Sequence, residues 1–343
     1  MKWYEEGGSE SSVVVASRIR LVRNLKAFCF PAMLDEDEAS KLTGELCGKL
    51  KKLSSVDGRT YEDFRLAEFD EVYREALQER QVINRTSVTE PRQAGLLLSK
   101  DEAVSVTVNS TDHIRMQISQ SGMELQQIWG QMDKLDDCIN EMYPYAFDSK
   151  LGYMTTYPTS VGTGMKAYLI LHLALLDSVA KFPEIVSEIG RYGIKLRPAF
   201  GKKKESGGSL YVMFNQKTLG VSEQEIIQIM EKIAGQLISQ EKSLRQHSVS
   251  RHRLRAEDIC YKAYGNLRYS KLMTLETGMS LLSQLRWGQE DQVITFEKYC
   301  NIYELMTGIQ PANLCVFYDK LLKGEALERA RAEYLQKFLP EIR

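Results

Sequence analysis

Three short stretches with β-strand character, close together between residues 94 and 119, constrain the fold of this chain more than any other feature. They are AGLLLS (94–99), AVSVTVN (103–109) and HIRMQIS (113–119), and only short polar links separate them. In the third stretch apolar and polar residues alternate, which places Arg115 and Gln117 on the face opposite the apolar side chains. The pattern predicts two or three consecutive strands, the last of them half-buried.

Size and composition narrow the class of protein. The chain has 343 residues, more than one hydrophobic core usually supports, so two domains are expected. Its 45 basic and 46 acidic residues nearly cancel, which gives no reason to expect binding to nucleic acid or to a membrane surface. The six cysteines are scattered without zinc-ligand spacing and are predicted to be reduced core thiols. Because the chain shows neither a signal-peptide pattern nor an apolar run long enough to span a bilayer, a soluble cytoplasmic protein is expected.

The remaining periodicity predicts helices on either side of these strands. Four are expected, at 34–53, 70–82, 122–143 and 222–246. A β-branched run opens the segment 12–25, and the segment 151–176 is predicted to form a strand, a Gly-Thr-Gly loop and then a helix.

Two short strands are expected within 194–220, and everything after about residue 250 is helix-rich. The polar, basic stretch RQHSVSRHR interrupts the helical periodicity. We therefore predict a boundary near residue 248, with a first domain at 1–248 and a helical domain at 249–343.

Several basic residues lie at strand ends or in glycine-bearing loops, namely Arg18, Arg20, Arg115, Lys166 and Arg197. Arg18 and Arg20 point the same way if their segment is extended. Lys166 follows Gly-Thr-Gly at the predicted start of a helix, where free backbone N–H groups favour an anion. Converging guanidinium groups suit polyphosphate, because their fork grips two oxygens at once. Taken singly, each residue is better explained as a solvated surface charge, so this reasoning stops at a candidate anion site and names no reaction.

The joint pattern is more specific, because it resembles the phosphagen kinases (ATP:guanidino phosphotransferases). SRIRLVRNL (17–25) looks like that family's first arginine motif, and NSTDHIR (109–115) is similar to its Asn-Glu-Glu-Asp-His-x-Arg motif. LGYMTTYPTSVGTGMKA (151–167) resembles its glycine-bearing signature, and FNQKTLG (214–220) matches the segment after its second substrate loop. The order and spacing of these motifs identify the chain as a member of the family.

Within the family, the chain most resembles the bacterial protein-arginine kinases. Its first arginine motif lies near residue 18, which leaves no room for the helical amino-terminal domain of the small-metabolite enzymes. The segments 197–220 and 259–288 resemble the substrate loop and the carboxy-terminal region of the protein kinases. The resemblance implies ATP-dependent phosphorylation of arginine side chains in proteins, in a stress response that delivers marked clients to a Clp protease. It also implies an α+β fold: a phosphagen-kinase-like catalytic domain, with an antiparallel sheet flanked by helices, followed by an all-helical domain that dimerises.

The resemblance also assigns roles to residues. It implies ATP and Mg²⁺ as cofactors, with no residue assigned as a metal ligand. Glu205 is the implied substrate-facing carboxylate and Asp112 a second candidate acid, for which loop capping is the alternative. The implied nucleotide-binding residues are Ser17, Arg18, Ile19, Arg20, Leu21, Gln81, Arg115, Lys166, Ala167, Tyr168, Leu169, Ile170, Arg197, Pro198, Ala199, Phe200, Gly201 and Lys202.

Departures from the family pattern cluster on the side of the acceptor guanidinium. Ser110 and Thr111 stand where the family has a pair of glutamates, Tyr157 replaces a cysteine, and Lys202 replaces a loop acid. On the nucleotide side Lys166 replaces an arginine, which preserves the charge but loses the bidentate fork. Gln81 stands where the family has a histidine before its central strands.

These departures leave three functions open. The first is a protein-arginine kinase of reduced or altered activity, and the second is a nucleotide-binding pseudokinase that serves as an adaptor. A kinase for free arginine or another metabolite is disfavoured, because the domain that shapes a small-substrate pocket is absent. In the helical domain LERARA (327–332) retains only Arg331 and Ala332 of the family's phosphoarginine-binding sequence, so a plain amphipathic helix is an equal alternative there.

Overall fold

The computed structural model describes residues 2–5, 7–200 and 208–343. Ten strands are present in these ranges: β1 Val14–Arg23, β2 Tyr61–Arg65, β3 Gly95–Ser99, β4 Val104–Val108, β5 Ile114–Ser121, β6 Phe147–Asp148, β7 Gly152–Tyr153, β8 Met165–His172, β9 Ile194–Pro198 and β10 Leu210–Asn215. The α-helices there are α1 Glu36–Leu50, α2 Ser54–Asp57, α3 Glu71–Glu79, α4 Arg85–Thr89, α5 Leu125–Met142, α6 Phe182–Arg191, α7 Glu223–Tyr269, α8 Leu275–Glu290, α9 Ile302–Gly308, α10 Pro311–Phe317 and α11 Gly324–Phe338.

One eight-stranded sheet dominates the first two-thirds of the chain, in the order β2-β3-β4-β5-β1-β8-β10-β9. The three strands predicted between 94 and 119 form an antiparallel meander, and β1 pairs antiparallel with β5. A second, two-stranded sheet contains β6 and β7. The predicted α+β class, with an antiparallel sheet, flanking helices and a helical carboxy-terminal region, is confirmed.

The register between β1 and β5 sorts their side chains onto two faces. Arg18 lies opposite Ser119 and Arg20 opposite Gln117, so their side chains share one face. The alternating residues, such as Ile19 and Met116, are fully buried on the other face.

Helices α1 and α5 contact the sheet, α1 at β3 and α5 at β5. Helix α1 begins with a capping box, in which Asp35 accepts a hydrogen bond from the Glu38 amide and Glu38 accepts one from the Asp35 amide. A side chain at Gly95 would meet the Cys47 sulfur at 2.6 Å, so this glycine allows α1 to approach β3 closely. Helices α1 and α5 therefore cover the face of the sheet opposite Arg18 and Arg20.

The segment 165–172 is a strand, not the predicted start of a helix. Seven of its eight residues are buried, because β8 is an interior strand of the sheet. A strand covered on both faces lacks the alternation of polar and apolar residues and cannot be told from a buried helix by periodicity. Lys166 therefore lies on a strand, and a helix amino terminus does not contribute to any anion site there.

The chain divides into two compact units. The first contains Met1–Ser9, Ala16–Leu169 and Phe214–Lys232, and the second contains Glu10–Val15, Ile170–Met213 and Ile233–Arg343. The predicted boundary at residue 248 falls inside α7, where the helical backbone is interrupted only at His252 (φ −136°, ψ 40°) within the helix's 47 residues.

A buried polar network lies inside the second unit. The Nδ1 atom of His172 accepts hydrogen bonds from Arg245 (3.1 Å) and Arg286 (3.2 Å), so Nε2 carries the proton and donates to the Ser283 hydroxyl at 2.8 Å. Glu241 accepts a hydrogen bond from Arg245 at 2.7 Å. Burial, followed by the charges of the two arginines, holds the pKa of His172 well below its usual range. The prediction that His172 is a satisfied core residue is confirmed.

Within the described ranges, none of the helices combines the length and apolarity that a membrane span requires. All six cysteines lie in these ranges and are free thiols. Cys29 is exposed and Cys138 is half-buried, so the prediction that all six belong to the core is wrong for these two residues and confirmed for the other four.

Candidate active site

Four basic side chains gather on the face of the sheet opposite α1 and α5. Arg18 and Arg20 come from β1, Arg115 from β5 and Lys166 from β8. Three of them are buried, with exposures of 5% for Arg18, 8% for Arg115 and 7% for Lys166. The sequence grouped these residues as a candidate anion site, and the first compact unit brings them together.

Uncharged oxygen atoms accept hydrogen bonds from Arg18 and Arg115 and so orient both side chains. Arg18 donates from Nε to the Ser119 hydroxyl at 2.8 Å and from Nη1 to the Gln81 side chain. Arg115 donates from Nη2 to Gln117 Oε1 at 2.9 Å, and Gln117 in turn donates from Nε2 to the Gln81 carbonyl at 2.7 Å. Gln81 thus anchors both arginines, one through its side chain and the other through Gln117.

Lys166 is held by backbone carbonyls. Its ammonium group donates to the carbonyls of Asn215 at 3.0 Å and Gln216 at 2.9 Å. The Asn215 side chain is fixed by accepting from the Ala167 amide at 2.8 Å. These contacts use two of the three ammonium donors and leave one for another ligand.

The cluster carries unbalanced positive charge. Burial lowers the pKa of Arg115 to about 9, and the adjacent Arg20 contributes in the same direction. Burial, followed by Arg20, lowers the pKa of Lys166 to about 8. Nε and Nη1 of Arg115 and Nε of Arg20 have no hydrogen-bond partner. In the described ranges, Arg20, Arg115 and Lys166 form no ion pair with a carboxylate. Buried, unpaired cations are costly unless an anion satisfies them, so the geometry fits a polyphosphate.

The flanking motif residues divide by sheet face. Tyr168 lies near Arg20, whose guanidinium carbon is 5.9 Å from the ring centre. Ile19 and Leu21 are fully buried in the core, as are Ala167 and Leu169.

The other two predicted nucleotide residues of these strands are buried. The Ser17 hydroxyl donates to the Gly122 carbonyl at 2.7 Å, and Ile170 lies on the same face of β8 as Lys166 and Tyr168. Of the motif residues on β1 and β8, the structure therefore gathers Arg18, Arg20, Lys166 and Tyr168 on the cationic face.

Arg197 to Phe200 belong to the second compact unit, where β9 ends. Arg197 is exposed, and the Ala199 amide donates to the Leu210 carbonyl at 2.8 Å. The remaining predictions for this segment, Gly201, Lys202 and the carboxylate Glu205, lie outside the described residues.

Asp112 holds the loop between β4 and β5. Its Oδ1 atom accepts hydrogen bonds from the Asn24 side chain and from the Thr156 amide, both at 2.7 Å. Oδ2 lies 3.4 Å from the Thr111 hydroxyl, and Asp112 is only 3% exposed. This geometry matches the loop-capping alternative for Asp112, while Oδ2 retains capacity to accept another donor.

The neighbours of Asp112 are neutral. The Ser110 hydroxyl lies 3.0 Å from the Ser87 hydroxyl. His113 is fully buried near Phe28 and Phe30, and burial lowers its pKa to about 4, so its ring is uncharged at neutral pH. The loop therefore contributes Asp112 as its single acid.

Arg331 is used inside the helical region. Its side chain is 2% exposed and donates to the carbonyls of Ile309 at 3.0 Å and Met273 at 2.8 Å. These bonds tie α11 to the residues at the end of α9 and before α8, which supports the structural alternative for this residue.

Sequence reasoning missed Gln117, Ser119 and Asn215. The first two share the alternating pattern of Arg115 along β5, so their positions on the cationic face could have been found. The contact between Asn215 and Lys166 exists because β8 and β10 are neighbours in the sheet, and no local sequence pattern reveals that pairing.

Comparisons with known proteins agree with this arrangement. A family model described as the ATP:guanido phosphotransferase C-terminal catalytic domain matches residues 44–244, and one described as the protein-arginine kinase McsB C-terminal domain matches residues 251–343. A protein-arginine kinase of Caldanaerobacter subterraneus subsp. tengcongensis is 33% identical over 327 residues, covering 95% of this chain and 96% of that protein. One from Clostridium tetani is 33% identical over 337 residues, covering 98% of each chain.

A solved structure of lombricine kinase shares the fold. It has a TM-score of 0.59 at 20% identity, with 71% of this chain and 70% of the other covered. The cationic sheet face, the two family matches and the nearly full-length relatives agree, and the chain belongs to the protein-arginine kinase family of ATP:guanido phosphotransferases.

Proposed function

We propose that this protein transfers the γ-phosphoryl group of ATP to arginine side chains of other proteins. The observation that carries the proposal is the cluster of buried cations, in which Arg20 and Arg115 keep N–H groups without a partner. The match to protein-arginine kinases along almost the whole chain supports the acceptor. The cation cluster fits any protein of this fold that binds a nucleotide, and the relatives favour the kinase over the inactive alternative.

The cationic face would hold the triphosphate. Arg18, Arg20 and Arg115 can each direct N–H groups at phosphate oxygens, and Lys166 adds a point charge. We propose Mg²⁺ as the metal cofactor. The described residues contain no group of three His, Cys, Asp or Glu side chains that could hold a metal ion, and phosphate oxygens of the nucleotide would supply most of the Mg²⁺ ligands.

The acceptor side must deliver a neutral guanidine nitrogen, because a protonated guanidinium is a poor nucleophile. In the proposed step a bond forms between this nitrogen and the γ-phosphorus, while the bond from phosphorus to the β–γ bridging oxygen breaks and ADP leaves. We assign acceptance of the guanidinium proton to Glu205. Asp112 would position the loop that faces the acceptor, with Oδ2 as a second candidate contact for it.

The cellular setting follows the same family. We propose a cytoplasmic homodimer acting in a stress response, with client proteins handed to a Clp protease and with a separate activator protein. Dimerisation is assigned to the helical region, residues 251–343, because that region matches the carboxy-terminal domain of the protein-arginine kinases.

A labelling experiment tests the proposal. The pure protein is incubated with ATP, Mg²⁺ and an arginine-rich unfolded protein, and acid-labile phosphate on the acceptor is measured. We expect labelling that is lost in Glu205→Ala and kept in Glu188→Ala, a matched change at an exposed glutamate of α6.

Three outcomes would contradict it. ATP binding without labelling, even with a partner protein present, would support the pseudokinase. If only a variant with Ser110→Glu and Thr111→Glu labels protein, the missing acids explain the inactivity. Labelling of free arginine alone would indicate a metabolite kinase.

A further inference from the structure

The cationic face contains a side chain whose chemistry has no role in the function proposed so far. Gln117 is 5% exposed and follows Arg115 by two residues on β5, so both lie on the same face. Its Oε1 atom accepts from Arg115 Nη2 at 2.9 Å. Its Nε2 atom donates to the Gln81 carbonyl at 2.7 Å, which fixes the orientation of the amide.

Gln81 provides the second half of this arrangement. Its backbone is in the left-handed region (φ 62°), an uncommon conformation for a residue other than glycine. Its carbonyl holds Gln117 and its side-chain oxygen accepts from Arg18. We call Gln81 and Gln117 together the amide bracket.

The chemistry of the bracket differs from the usual way of orienting a buried arginine. A carboxylate would orient Arg115 and also neutralise it, and an incoming phosphate would then compete with that internal ion pair. An amide oxygen accepts the same hydrogen bond without adding negative charge. Arg115 is thereby held in place while Nε and Nη1 stay unpaired.

We propose that Gln117 and Gln81 are positioning residues that hold the phosphate-binding arginines through uncharged acceptors, so that the arginines' charge remains available to the triphosphate. The proposal rests on the proposed function, because it assumes that polyphosphate is the ligand. It makes the neutrality of residue 117, and not only its hydrogen bond, a determinant of ATP affinity.

The test compares two changes at one position. Gln117→Leu removes the hydrogen bond without adding charge and should weaken ATP binding about fivefold. Gln117→Glu keeps an acceptor but adds a charge, and should weaken binding about 10- to 100-fold. Gln120→Glu, the same change on the opposite face of β5, is the matched control and should stay within about twofold of wild type.

Binding of three ligands distinguishes a loss of arginine positioning from a general disruption of the nucleotide site. Binding of ATP, inorganic tripolyphosphate and adenosine is measured by calorimetry, with circular dichroism to establish that each variant is folded. For Gln117→Glu, tripolyphosphate affinity should fall as ATP affinity does, while adenosine affinity is unchanged. Gln81→Glu is the second variant. Gln81 is only half-buried, so the added charge stays partly solvated. The same pattern of affinities is expected.

The outcomes distinguish this inference from the function itself. If wild type binds ATP, and Gln117→Glu and Gln117→Leu weaken binding equally, neutrality is irrelevant and the inference is wrong. Unchanged tripolyphosphate binding in both glutamate variants would overturn it too. If wild type binds neither ATP nor tripolyphosphate, the proposed function and the inference fail together.

Discussion

Replacing Asp112 by asparagine separates a catalytic acid from a residue that holds a loop. In Asp112→Asn the amide oxygen can still accept from the Asn24 side chain and the Thr156 amide, the two bonds that measure 2.7 Å. What is lost is the negative charge. A carboxylate could still act on the acceptor through Oδ2, whereas an amide cannot take a proton.

The expected loss of stability follows from those two hydrogen bonds. A bond to a charged group contributes about 1.5–3 kcal/mol and a neutral one about 0.5–1.5 kcal/mol, so the change costs roughly 1 kcal/mol for each bond and about 2 kcal/mol in total. At about 2–4 °C per kcal/mol, the melting temperature should fall by roughly 4–8 °C. Asp112→Ala removes the acceptor of the Thr156 amide and leaves the Asn24 side chain with only the Met154 carbonyl at 3.2 Å, so it should cost more.

Calorimetry and the protein-labelling assay measure the two effects on the same samples. At a temperature where both proteins are folded, Asp112→Asn should label protein within about threefold of wild type, whereas Glu205→Gln should lose about 10²- to 10⁴-fold. The reasoning is refuted if Asp112→Asn melts like wild type but loses more than about 100-fold in rate. Asp112 would then act on the acceptor and Glu205 would need another role.

Three further results are expected. Because burial depresses the folded-state pKa of His113 to about 4, the unfolded chain takes up a proton first as the pH falls below 6.5, and stability should drop by about 2 kcal/mol by pH 5. His172 adds to this loss, so the melting temperature at pH 5 should be clearly lower than at pH 7, and a flat profile would contradict both assignments. Since the pKa of Lys166 is lowered to about 8, ATP affinity should decline by up to about tenfold between pH 7 and pH 9, and Lys166→Arg should leave only the smaller decline due to Arg115; an identical slope in both proteins would show that Lys166 does not contact the phosphates. Arg331→Met strands two buried carbonyls and should destabilise the protein by about 2–4 kcal/mol in urea unfolding, with phosphoarginine binding unchanged; lost binding at full stability would mean that Arg331 serves a ligand.

The fold was most predictable where the two faces of a strand differ in polarity. Strand β5 alternates apolar and polar residues because one face meets α5 and the other carries the arginines, so it was correctly predicted as a strand, although seven of its eight residues are buried and it is not half-buried as expected. Strand β8 is equally buried but has apolar residues on both faces, so its run of apolar residues was assigned to a helix. The error came from the absence of alternation and not from an unusual composition.

The candidate site shows a similar division. Arg18, Arg20 and Arg115 were selected from motifs, and their convergence follows from a β1–β5 register that no short stretch encodes. Asp112 was correctly given a loop-capping alternative, since an aspartate beside a turn commonly accepts backbone amides. The roles of Gln81 and Asn215 depend on partners at least 36 residues away, which only the folded chain identifies.

Helix α7 has a consequence for how the two family matches are joined. The matches end at residue 244 and begin again at residue 251, and α7 is helical across that interval. In a loop, the loss of one residue changes only a length. In an α-helix it turns the side chains that follow by about 100° and shifts them by about 1.5 Å, here as far as the interruption at His252. A deletion between Glu241 and Arg245, for example, would bring a different side chain to the buried hydrogen bond that these residues share. Up to His252, the number of residues in this part of α7 therefore sets a rotational phase as well as a distance.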